Sequence, residues 1–350
     1  MNTFNGVSVN TSRFQKITEK YPKLRMAVVG DFCLDRYLEI DPARQETSLE
    51  TGLPVHNVVH VRSQPGGAGT ILNNLVALGI GELCPVGFAG EDGEGFELLR
   101  ALKAKRGVNL EHFFQTAERR TFTYCKPLIM RPGKPPEELS RLDSKNWSPT
   151  PPALETRLID AVQFLAAQVD AIILLEQVDV AQTGVITARL LDAIRALAKQ
   201  QPDLLIIADS RRGLRGYPPV TFKMNAAELG ALTGARHELN LDEIKQAAAT
   251  LARTRRHPVF VTLSERGLLG AAPTGEVEHV PALPVRGEID IVGAGDAVTA
   301  NLASALAAGA TVHEAVELAN AAASVVIHQL GTTGTASVPQ IQEAFTPIHT

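Results

Sequence analysis

The chain has 350 residues, 45% of them hydrophobic, which is enough apolar material for one large domain or two smaller ones. Its formal net charge of −4 leaves no basic surplus for nucleic acid or an anionic membrane surface, so we expect neither partner. Any phosphate group must therefore be held locally, by backbone N–H groups and a few side chains.

The three cysteines, Cys33, Cys84 and Cys125, lie far apart in the sequence and form no C-x-x-C pair. This pattern argues against a disulfide framework or a structural zinc site, and it is typical of small buried side chains in a reducing compartment. Residues 1–6 show neither the basic nor the apolar region of a signal peptide. The apolar stretches have the length of strands and fall far short of a membrane span. We therefore expect a cytoplasmic protein.

The first part of the chain contains one buried strand and several extended segments. Residues 12–19 are predicted to form an amphipathic helix, and residues 26–30 form a compact apolar strand. Three later segments have a strand-like pattern without a helical stripe: 55–61, 121–129 and 139–143. Because these segments do not alternate with helices, they predict a small β-lid built from about residues 37–63 and 121–143.

After Pro149 the pattern becomes regular, with helices and strands in alternation. The predicted strands are 171–175, 204–208 and 259–263, and the predicted helices are 153–168, 183–199, 226–232, 241–253, 297–308 and 312–328. Alternating βα units imply a parallel sheet flanked by helices on both faces. We find no internal repeat and no long linker, so we predict an α/β fold in which residues 1–350 form a single domain carrying the β-lid.

The segment Asp290-Ile-Val-Gly-Ala-Gly-Asp296 follows an extended stretch and opens an alanine-rich helix. Its small residues allow a ligand to approach the backbone closely, and N–H groups at a helix N-terminus attract an anion. A carboxylate in this turn would repel that anion. Such a carboxylate has a catalytic role if Asp296 accepts the proton of an attacking hydroxyl while the N–H groups stabilise the phosphoryl group that is being transferred. The alternative is that Asp296 only caps the helix.

A second phosphate-type feature is Asn225-Ala-Ala-Glu228, at the start of the predicted helix 226–232. The spacing places both side chains near one helix end, where they could hold water around a magnesium–phosphate complex. The same residues also match a capping box, in which the two side chains bind free N–H groups of the first helical turn. The sequence leaves both interpretations open.

Three common nucleotide-binding patterns are not supported. The sequence contains no G-x-x-x-x-G-K-[ST] P-loop and no protein-kinase H-R-D with D-F-G set. Residues 66–74 are rich in glycine but lack the G-x-G-x-x-G spacing, and the strand before them belongs to the predicted lid. A dinucleotide-binding dehydrogenase is therefore disfavoured.

The ordered set of motifs resembles the ribokinase-like (PfkB) carbohydrate kinase family over about residues 25–339. The markers, in family order, are Gly30-Asp31 with Asp35, Gly66-Gly67, Asn225-x-x-Glu228 and Gly293-Ala-Gly-Asp296. The resemblance implies an ATP- and Mg²⁺-dependent kinase that transfers the γ-phosphoryl group of ATP to a sugar hydroxyl. It also implies a homodimer formed through the lid.

The resemblance assigns catalytic and sugar-binding roles residue by residue. Asp296 would be the general base, and Gly293, Ala294 and Gly295 would form the anion hole. The implied sugar contacts are Asp35, Gly66, Gly67, Thr70, Asn74 and, from the lid, Arg141.

The nucleotide side follows from the same resemblance. Asn225 and Glu228 would organise Mg²⁺ through water, and Thr262, Gly267 and Asn320 would line the adenine side. Many members of the family bind a monovalent cation such as K⁺, which would sit here beside Asp290 and the loop 331–337.

The finer similarity is to the kinase part of the bifunctional heptose-7-phosphate kinase/heptose-1-phosphate adenylyltransferases. The matching segments are 29–37, 65–68, 78–79, 141–143, 319–323 and 329–332. The adenylyltransferase part would be marked by an H-x-G-H motif, which the sequence lacks. We therefore expect only the kinase part, with no nucleotidyltransferase domain, and the sequence does not tell whether a separate adenylyltransferase partner exists.

Departures from the heptose kinases are concentrated on the sugar side. Their G-G-x-x-N pattern places asparagine where this chain has Thr70, so one sugar contact is changed or is supplied by Asn73 or Asn74. Segments 48–54, 175–178 and 209–213 also differ. Heptose 7-phosphate is thus one candidate acceptor, and the sequence leaves open which sugar and which hydroxyl react.

Two alternatives stay open. Arg211 and Arg212 either grip a phosphate group already on the substrate or form a solvated basic turn. The chain could also be a kinase for another sugar or a nucleoside, or a catalytically silent sugar- or nucleotide-binding regulator on the same fold. The retained Asp296 and its glycine turn favour an enzyme, because binding alone needs no base.

Overall fold

The computed structural model describes residues 9–345. Its strands are β1 (Arg25–Gly30), β2 (Phe32–Ile40), β3 (Glu46–Thr47), β4 (Pro54–Val55), β5 (Val58–Gly67), β6 (Glu82–Gly90), β7 (Phe113–Thr116), β8 (Phe122–Ile129), β9 (Glu137–Glu138), β10 (Ala171–Glu176), β11 (Leu205–Ser210), β12 (Thr221–Asn225), β13 (Val259–Thr262), β14 (Leu268–Ala271) and β15 (Val277–Val280). Its α-helices are α1 (Thr11–Thr18), α2 (Ala68–Leu78), α3 (Gly93–Lys103), α4 (Pro152–Ala166), α5 (Ala188–Gln200), α6 (Ala226–Thr233), α7 (Leu241–Arg255), α8 (Ala294–Ala307), α9 (Val312–Val326) and α10 (Val338–Phe345).

A nine-stranded sheet forms the centre of the structure, in the order β15-β14-β13-β12-β11-β10-β1-β6-β7. Neighbouring strands from β13 through β7 pair in parallel, and β14 and β15 add an antiparallel edge. Every residue of β10 is buried, as expected for a parallel strand covered on both faces. The predicted α/β sheet with helices on both faces is confirmed.

The two faces of the sheet belong to separate hydrophobic clusters because successive strand residues point to opposite sides. On β1, Met26 and Val28 pack with residues of α2, α8 and α9. Ala27 and Val29 pack with residues of α4, α5 and α7 on the other face. The carboxyl ends of the parallel strands share one edge, where ligands of open α/β sheets bind.

The lid is a second sheet, in the order β5-β2-β8-β9. Strand β2 pairs antiparallel with β5 and parallel with β8. The lid is longer than predicted, because β2 begins at Phe32, one residue after Asp31, and β5 runs on to Gly67, directly before α2. The lid is therefore joined directly to the end of β1 through β2 and to helix α2 through β5.

Two predicted elements are wrong in extent or type. Residues 183–187 are not helical, and α5 begins at Ala188 with the Thr187 side chain accepting from the N–H of Leu190. The N–H of Val185 is instead bound by the Asp31 carboxylate, which removes it from any helical ladder. Residues 139–143 form no regular strand, and Leu139 and Leu142 make only single backbone bonds to the β8 strand.

Cys33, Cys84 and Cys125 are buried with free thiols, as small apolar side chains. Within residues 9–345 no helix combines the length and the apolar character needed to span a bilayer. Residues 1–6, which carried the expectation about a signal peptide, lie outside the part of the chain that the structure describes.

Candidate active site

The turn predicted to form the anion hole stands at the beginning of α8. Gly293 is the N-cap, with φ of 83°, a left-handed conformation that favours glycine. No side chain caps this helix, and the N–H of Ala294 donates to the carbonyl of Ile291 at 3.2 Å, so the N–H groups left without an intrahelical partner begin at Gly295. The alternative that Asp296 is a helix cap is therefore wrong. Asp296 lies in the first turn, half-buried at the edge of the sheet.

The electrostatic setting of Asp296 suits a proton acceptor that works near neutral pH. Burial raises the pKa of Asp296 to about 7, Lys223 opposes the shift, and the charges of Asp209 and Asp35 add to it. A carboxylate with a pKa near the working pH can take up a proton from a hydroxyl and release it again.

A buried ion pair lies beneath this turn. Lys223 of β12 donates to Asp209 Oδ2 of β11 at 2.7 Å, and Thr299 Oγ1 of α8 donates to the same oxygen at 3.0 Å. The Lys223 ammonium is 3.2 Å from the place that a Cβ on Gly295 would occupy, so it lies against the anion hole. Sequence reasoning missed Lys223, although a lysine within the apolar run Val220-Thr-Phe-Lys-Met224 was a signal for it.

A cavity of about 500 Å³ opens on the other side of the turn. Ala294 and Gly295 form its inner end, and Thr262, Gly267 and Asn320 line it together with apolar side chains such as Ile291 and Val298. Gly267 has φ of 92°, and a Cβ there would overlap the carbonyl of Val280. Asn320 is buried and donates to the carbonyl of Pro281 at 2.8 Å. The structure thus brings three of the five predicted nucleotide-side residues to one apolar cavity.

Asn225 and Glu228 form the capping box of α6. The Asn225 side chain accepts from the N–H of Glu228 at 2.8 Å, and the Glu228 carboxylate accepts from the N–H of Asn225 at 2.7 Å. Burial raises the pKa of Glu228 above its ordinary value, with a smaller contribution from Asp209. The capping interpretation is therefore observed, and a role toward magnesium stays a prediction for the same two side chains.

On the sugar side, Asp35 faces the glycine pair across the lid strands. Asp35 is buried on β2, opposite Gln64 of β5, and burial raises the pKa of its carboxyl while Lys126 and Arg141 oppose the shift. A Cβ on Gly66 would overlap the Asp35 carboxylate. Gly67 has φ of 57°, and a Cβ there would come 2.5 Å from the carbonyl oxygen of Asp31. Close contacts thus require glycine at both positions. At Gly66 the contact is with the Asp35 carboxylate, which is predicted to bind the sugar, and at Gly67 it is with the carbonyl of Asp31.

We expect Gly66→Ala to weaken sugar binding without unfolding the protein, since the added methyl displaces the end of the Asp35 side chain and not the backbone. Loss of a charged hydrogen bond costs about 1.5–3 kcal/mol, so KM for the sugar should rise about 10–100-fold. Steady-state kinetics and thermal melting measure the two effects. Gly93→Ala is the matched control, because its Cβ meets nothing within 4 Å. A KM equal to that of Gly93→Ala would contradict the role of Asp35.

Residues 25–339 match the family described as pfkB family carbohydrate kinase. The chain belongs to the pfkB family of carbohydrate kinases. It is 32% identical over 308 residues to the bifunctional protein HldE of Azorhizobium caulinodans, covering 88% of this chain and 61% of that protein. HldE of Pelobacter propionicus is 30% identical over 307 residues. The chain therefore spans about 60% of the length of these relatives.

Solved structures show the same fold. Arabidopsis thaliana ribokinase complexed with ribose and ATP aligns with a TM-score of 0.63 at 18% identity, over 92% of this chain and 98% of that one. Escherichia coli phosphofructokinase-2 in complex with fructose-6-phosphate aligns with a TM-score of 0.65 at 18% identity, over 92% and 98%. At such identities the likeness concerns the fold alone.

Two of the sugar-side residues predicted for this pfkB-family chain have structural tasks. Thr70 is buried in α2, with its methyl group 3.5 Å from the place of a Cβ on Gly293. The Asn74 amide is fully buried, donates to the carbonyl of Thr70 at 3.0 Å and accepts from the N–H of Ala336 at 3.4 Å. Asn74 thus holds the segment after α9 against α2, and a direct sugar contact from either residue stays a prediction.

The loop beside the anion hole is fastened from two sides. Asp290 accepts from the N–H of Val292 at 3.0 Å and from the N–H of Gly331 at 3.2 Å. From the lid, Gln64 donates to Thr333 Oγ1 at 2.8 Å and accepts from Thr332 Oγ1 at 3.2 Å. Lid strand β5 and the loop next to Gly293 are therefore in direct contact. Each oxygen of the Asp290 carboxylate thus accepts one backbone N–H. A monovalent cation beside Asp290 stays a prediction.

The arginines near the sugar side differ in their engagement. Arg141 pairs with Asp143 at 2.8 Å and lies 4.8 Å from the ring centre of Tyr124. Arg212 instead forms an ion pair with the buried Glu176, with 2.8 Å between Nη1 and Oε1. Arg211 makes only a longer pair of 3.5 Å with Asp179. Of the two arginines considered in the sequence, Arg211 is the one left on the lid side.

Proposed function

We propose that this chain transfers the γ-phosphoryl group of ATP to a hydroxyl of a sugar, with Asp296 as the general base. One observation carries the proposal. The first turn of α8 places Asp296 and uncapped backbone N–H groups between the apolar cavity that ends at Gly295 and the buried Asp35 beneath the lid. An acceptor held at Asp35 and a nucleotide held in the cavity would meet at this turn.

The chemistry follows from the charges at the turn. Asp296 would accept the proton of the attacking hydroxyl, while N–H groups at the helix N-terminus stabilise the negative charge on the transferring phosphoryl oxygens. Lys223, against Gly295, adds a positive charge where that negative charge develops. The apolar walls of the cavity suit the adenine ring, and Asn320 and Thr262 offer polar groups for its orientation.

Mg²⁺ and a monovalent cation belong to the proposal as cofactors. The described residues contain no cluster of three or more His, Cys, Asp or Glu side chains that could hold a metal ion alone. This fits Mg²⁺ that arrives with the nucleotide phosphates, since Mg²⁺ commonly keeps several waters and few protein carboxylates. Glu228 and Asn225 would bind such waters. Escherichia coli phosphofructokinase-2 has been solved in complex with potassium, which supports testing K⁺ here.

The acceptor we favour is a sugar that already carries a phosphate group. Lys126 and Arg141 lie close enough to Asp35 to oppose the rise in its pKa that burial causes, and Arg211 stands near Tyr124 of the same lid. These cations surround the predicted sugar site although the chain as a whole is acidic. Heptose 7-phosphate is the first acceptor to test, given the sequence resemblance to heptose kinases and the similarity to HldE.

The test is a coupled assay of ADP release from MgATP with a panel of acceptors: heptose 7-phosphate, heptose, fructose 6-phosphate, ribose and a nucleoside. We expect release that depends on the acceptor and is fastest with a phosphorylated sugar. In parallel, ADP should raise the melting temperature of the protein, since a ligand of the native state stabilises it. ADP binding with no release for any acceptor would instead favour a sugar- or nucleotide-binding regulator.

A homodimer formed through the lid is also a proposal. The outer residues Val58, Val59 and Val61 of β5 are 43%, 51% and 42% exposed. Three neighbouring exposed valines on an edge strand favour burial against a second copy.

A further inference from the structure

Among the charged side chains around the predicted anion hole, Lys223 forms an ion pair with Asp209 and not with Asp296. Lys223 is buried and has three carboxylates within electrostatic reach, Asp209, Asp296 and Glu228. It binds only Asp209 at hydrogen-bond distance, 2.7 Å. Thr299, whose side chain is fully buried, donates to that same Asp209 oxygen and so fixes the carboxylate between α8 and β12. Asp296, one turn before Thr299, is left without a cation bound to it.

Other titratable groups face this cluster from the neighbouring elements. Asp35 of β2 acts on Asp296, and Glu228 of α6 acts on Lys223. The buried Cys33 thiol of β2 lies within electrostatic reach of Asp296, and burial raises its pKa well above the ordinary value. All three are acidic groups, so Lys223 is the cation on which the Asp296 environment depends.

We propose that Asp209 is a positioning residue that keeps the Lys223 ammonium against Gly295, so that the Asp296 carboxylate has no permanent cation partner and is free to accept a proton. The role depends on the proposed function, because only a general base needs this freedom. It explains why an acidic residue is placed close to an anion-binding turn. The negative charge of Asp209 is neutralised by Lys223 and hydrogen-bonded by Thr299, which reduces its repulsion of the phosphoryl group.

The physical reason is the cost of leaving a buried charge unpaired. A buried ion that loses its partner is strongly destabilised, so a pair between Lys223 and another carboxylate becomes more favourable. When Asp209 is replaced by asparagine, the carboxylate of α8 that lies within electrostatic reach of Lys223 is Asp296. The new pair would favour the ionised carboxylate and weaken its hold on a proton.

The test is an NMR titration of the ligand-free protein with carboxyl-labelled aspartate, with the Asp296 signal assigned from Asp296→Asn. We expect Asp209→Asn to move the Asp296 titration at least one pH unit lower, a tenfold loss of proton affinity. Part of this shift arises from the lost charge of Asp209 itself. The same substitution is therefore made in a Lys223→Gln background, where less than half of the shift should remain.

Equal shifts in the two backgrounds would overturn the proposal, since Asp209 would then act only through its own charge. If Asp209→Asn does not fold, Thr299→Val keeps every charge and removes the hydroxyl that contacts Asp209 Oδ2 at 3.0 Å and the carbonyl of Gly295 at 3.1 Å. We expect it to lower the Asp296 titration by a few tenths of a pH unit, and an unchanged titration would count against the proposal. Because the titration needs no substrate, it stands even if the acceptor panel shows no kinase activity.

Discussion

Asp296→Asn should lower kcat by about 10²–10⁴-fold, because asparagine cannot accept the proton of the attacking hydroxyl. The substitution conserves shape, and the apolar cavity ends at Ala294 and Gly295, so the affinity for ADP should stay nearly constant. Coupled ADP release and ADP titration measure the two quantities. Asp242→Asn is a matched control, since Asp242 also lies in the first turn of a helix, α7, away from the site. A kcat within twofold of that control would remove Asp296 from the mechanism.

The same carboxylate sets a pH dependence with a definite sign. With a pKa of Asp296 near 7, the basic form is gained as pH rises through 7, so kcat/KM should fall about tenfold per unit below that pH. Stability runs the other way. The folded pKa of Asp296 is above the ordinary value near 4, so the native state binds more protons between pH 4 and 7 and loses stability as pH rises. Asp296→Asn should therefore melt at a higher temperature than wild type at pH 8, and at nearly the same temperature at pH 4.

The second large effect concerns stability. Asp31 is buried at the end of β1, and its carboxylate accepts from the N–H groups of Gln177 at 2.8 Å, Val178 at 3.2 Å and Val185 at 2.7 Å. Asp31→Asn places an NH₂ group against at least one of these donors, which should cost about 2–4 kcal/mol of unfolding free energy. Burial raises the pKa of Asp31 to about 6, so urea unfolding is measured at pH 8, where the carboxylate is ionised.

Two variants make this result specific. A Cβ on Gly184 would overlap the Asp31 carboxylate, so Gly184→Ala should destabilise the protein through the same contact. Asp170 accepts from one N–H, that of Arg25, at 2.8 Å, and it is exposed. Asp170→Asn should therefore cost no more than about 1 kcal/mol. Equal losses of unfolding free energy for Asp31→Asn and Asp170→Asn would mean that the three hydrogen bonds of Asp31 stabilise the protein no more than the single one of Asp170.

Four of the nine strands of the central sheet, β1, β10, β11 and β13, could be predicted from the sequence because they are continuous apolar runs next to helices with clear periodicity. The turn proposed as catalytic could be recognised for a related reason, since Gly293, Gly295 and Asp296 all lie in one short segment. The lid was harder to delimit. Strand β2 begins directly after Asp31 without a turn residue between the two sheets, so local patterns do not show its start.

What the sequence could not supply are contacts between distant segments. Lys223, Asp209 and Thr299 lie on three elements, and their meeting depends on strand order. Asn225 and Glu228 illustrate the opposite limit, because one spacing serves a capping box and a phosphate-binding end equally well. The structure shows the cap, and the local pattern alone could not have separated it from a ligand-binding role.

The link from Gln64 to Thr332 and Thr333 has a thermodynamic consequence. It connects the lid sheet, where we propose that the acceptor binds, to the loop beside the turn at Gly293. If this contact couples the two ends, linkage requires the effect to be mutual: a sugar that tightens nucleotide binding is itself bound more tightly, by the same factor, when the nucleotide is present. Water, which does not engage the lid, would then meet a less well-ordered turn. The lid contact would in this way protect ATP from wasteful hydrolysis when no sugar is bound.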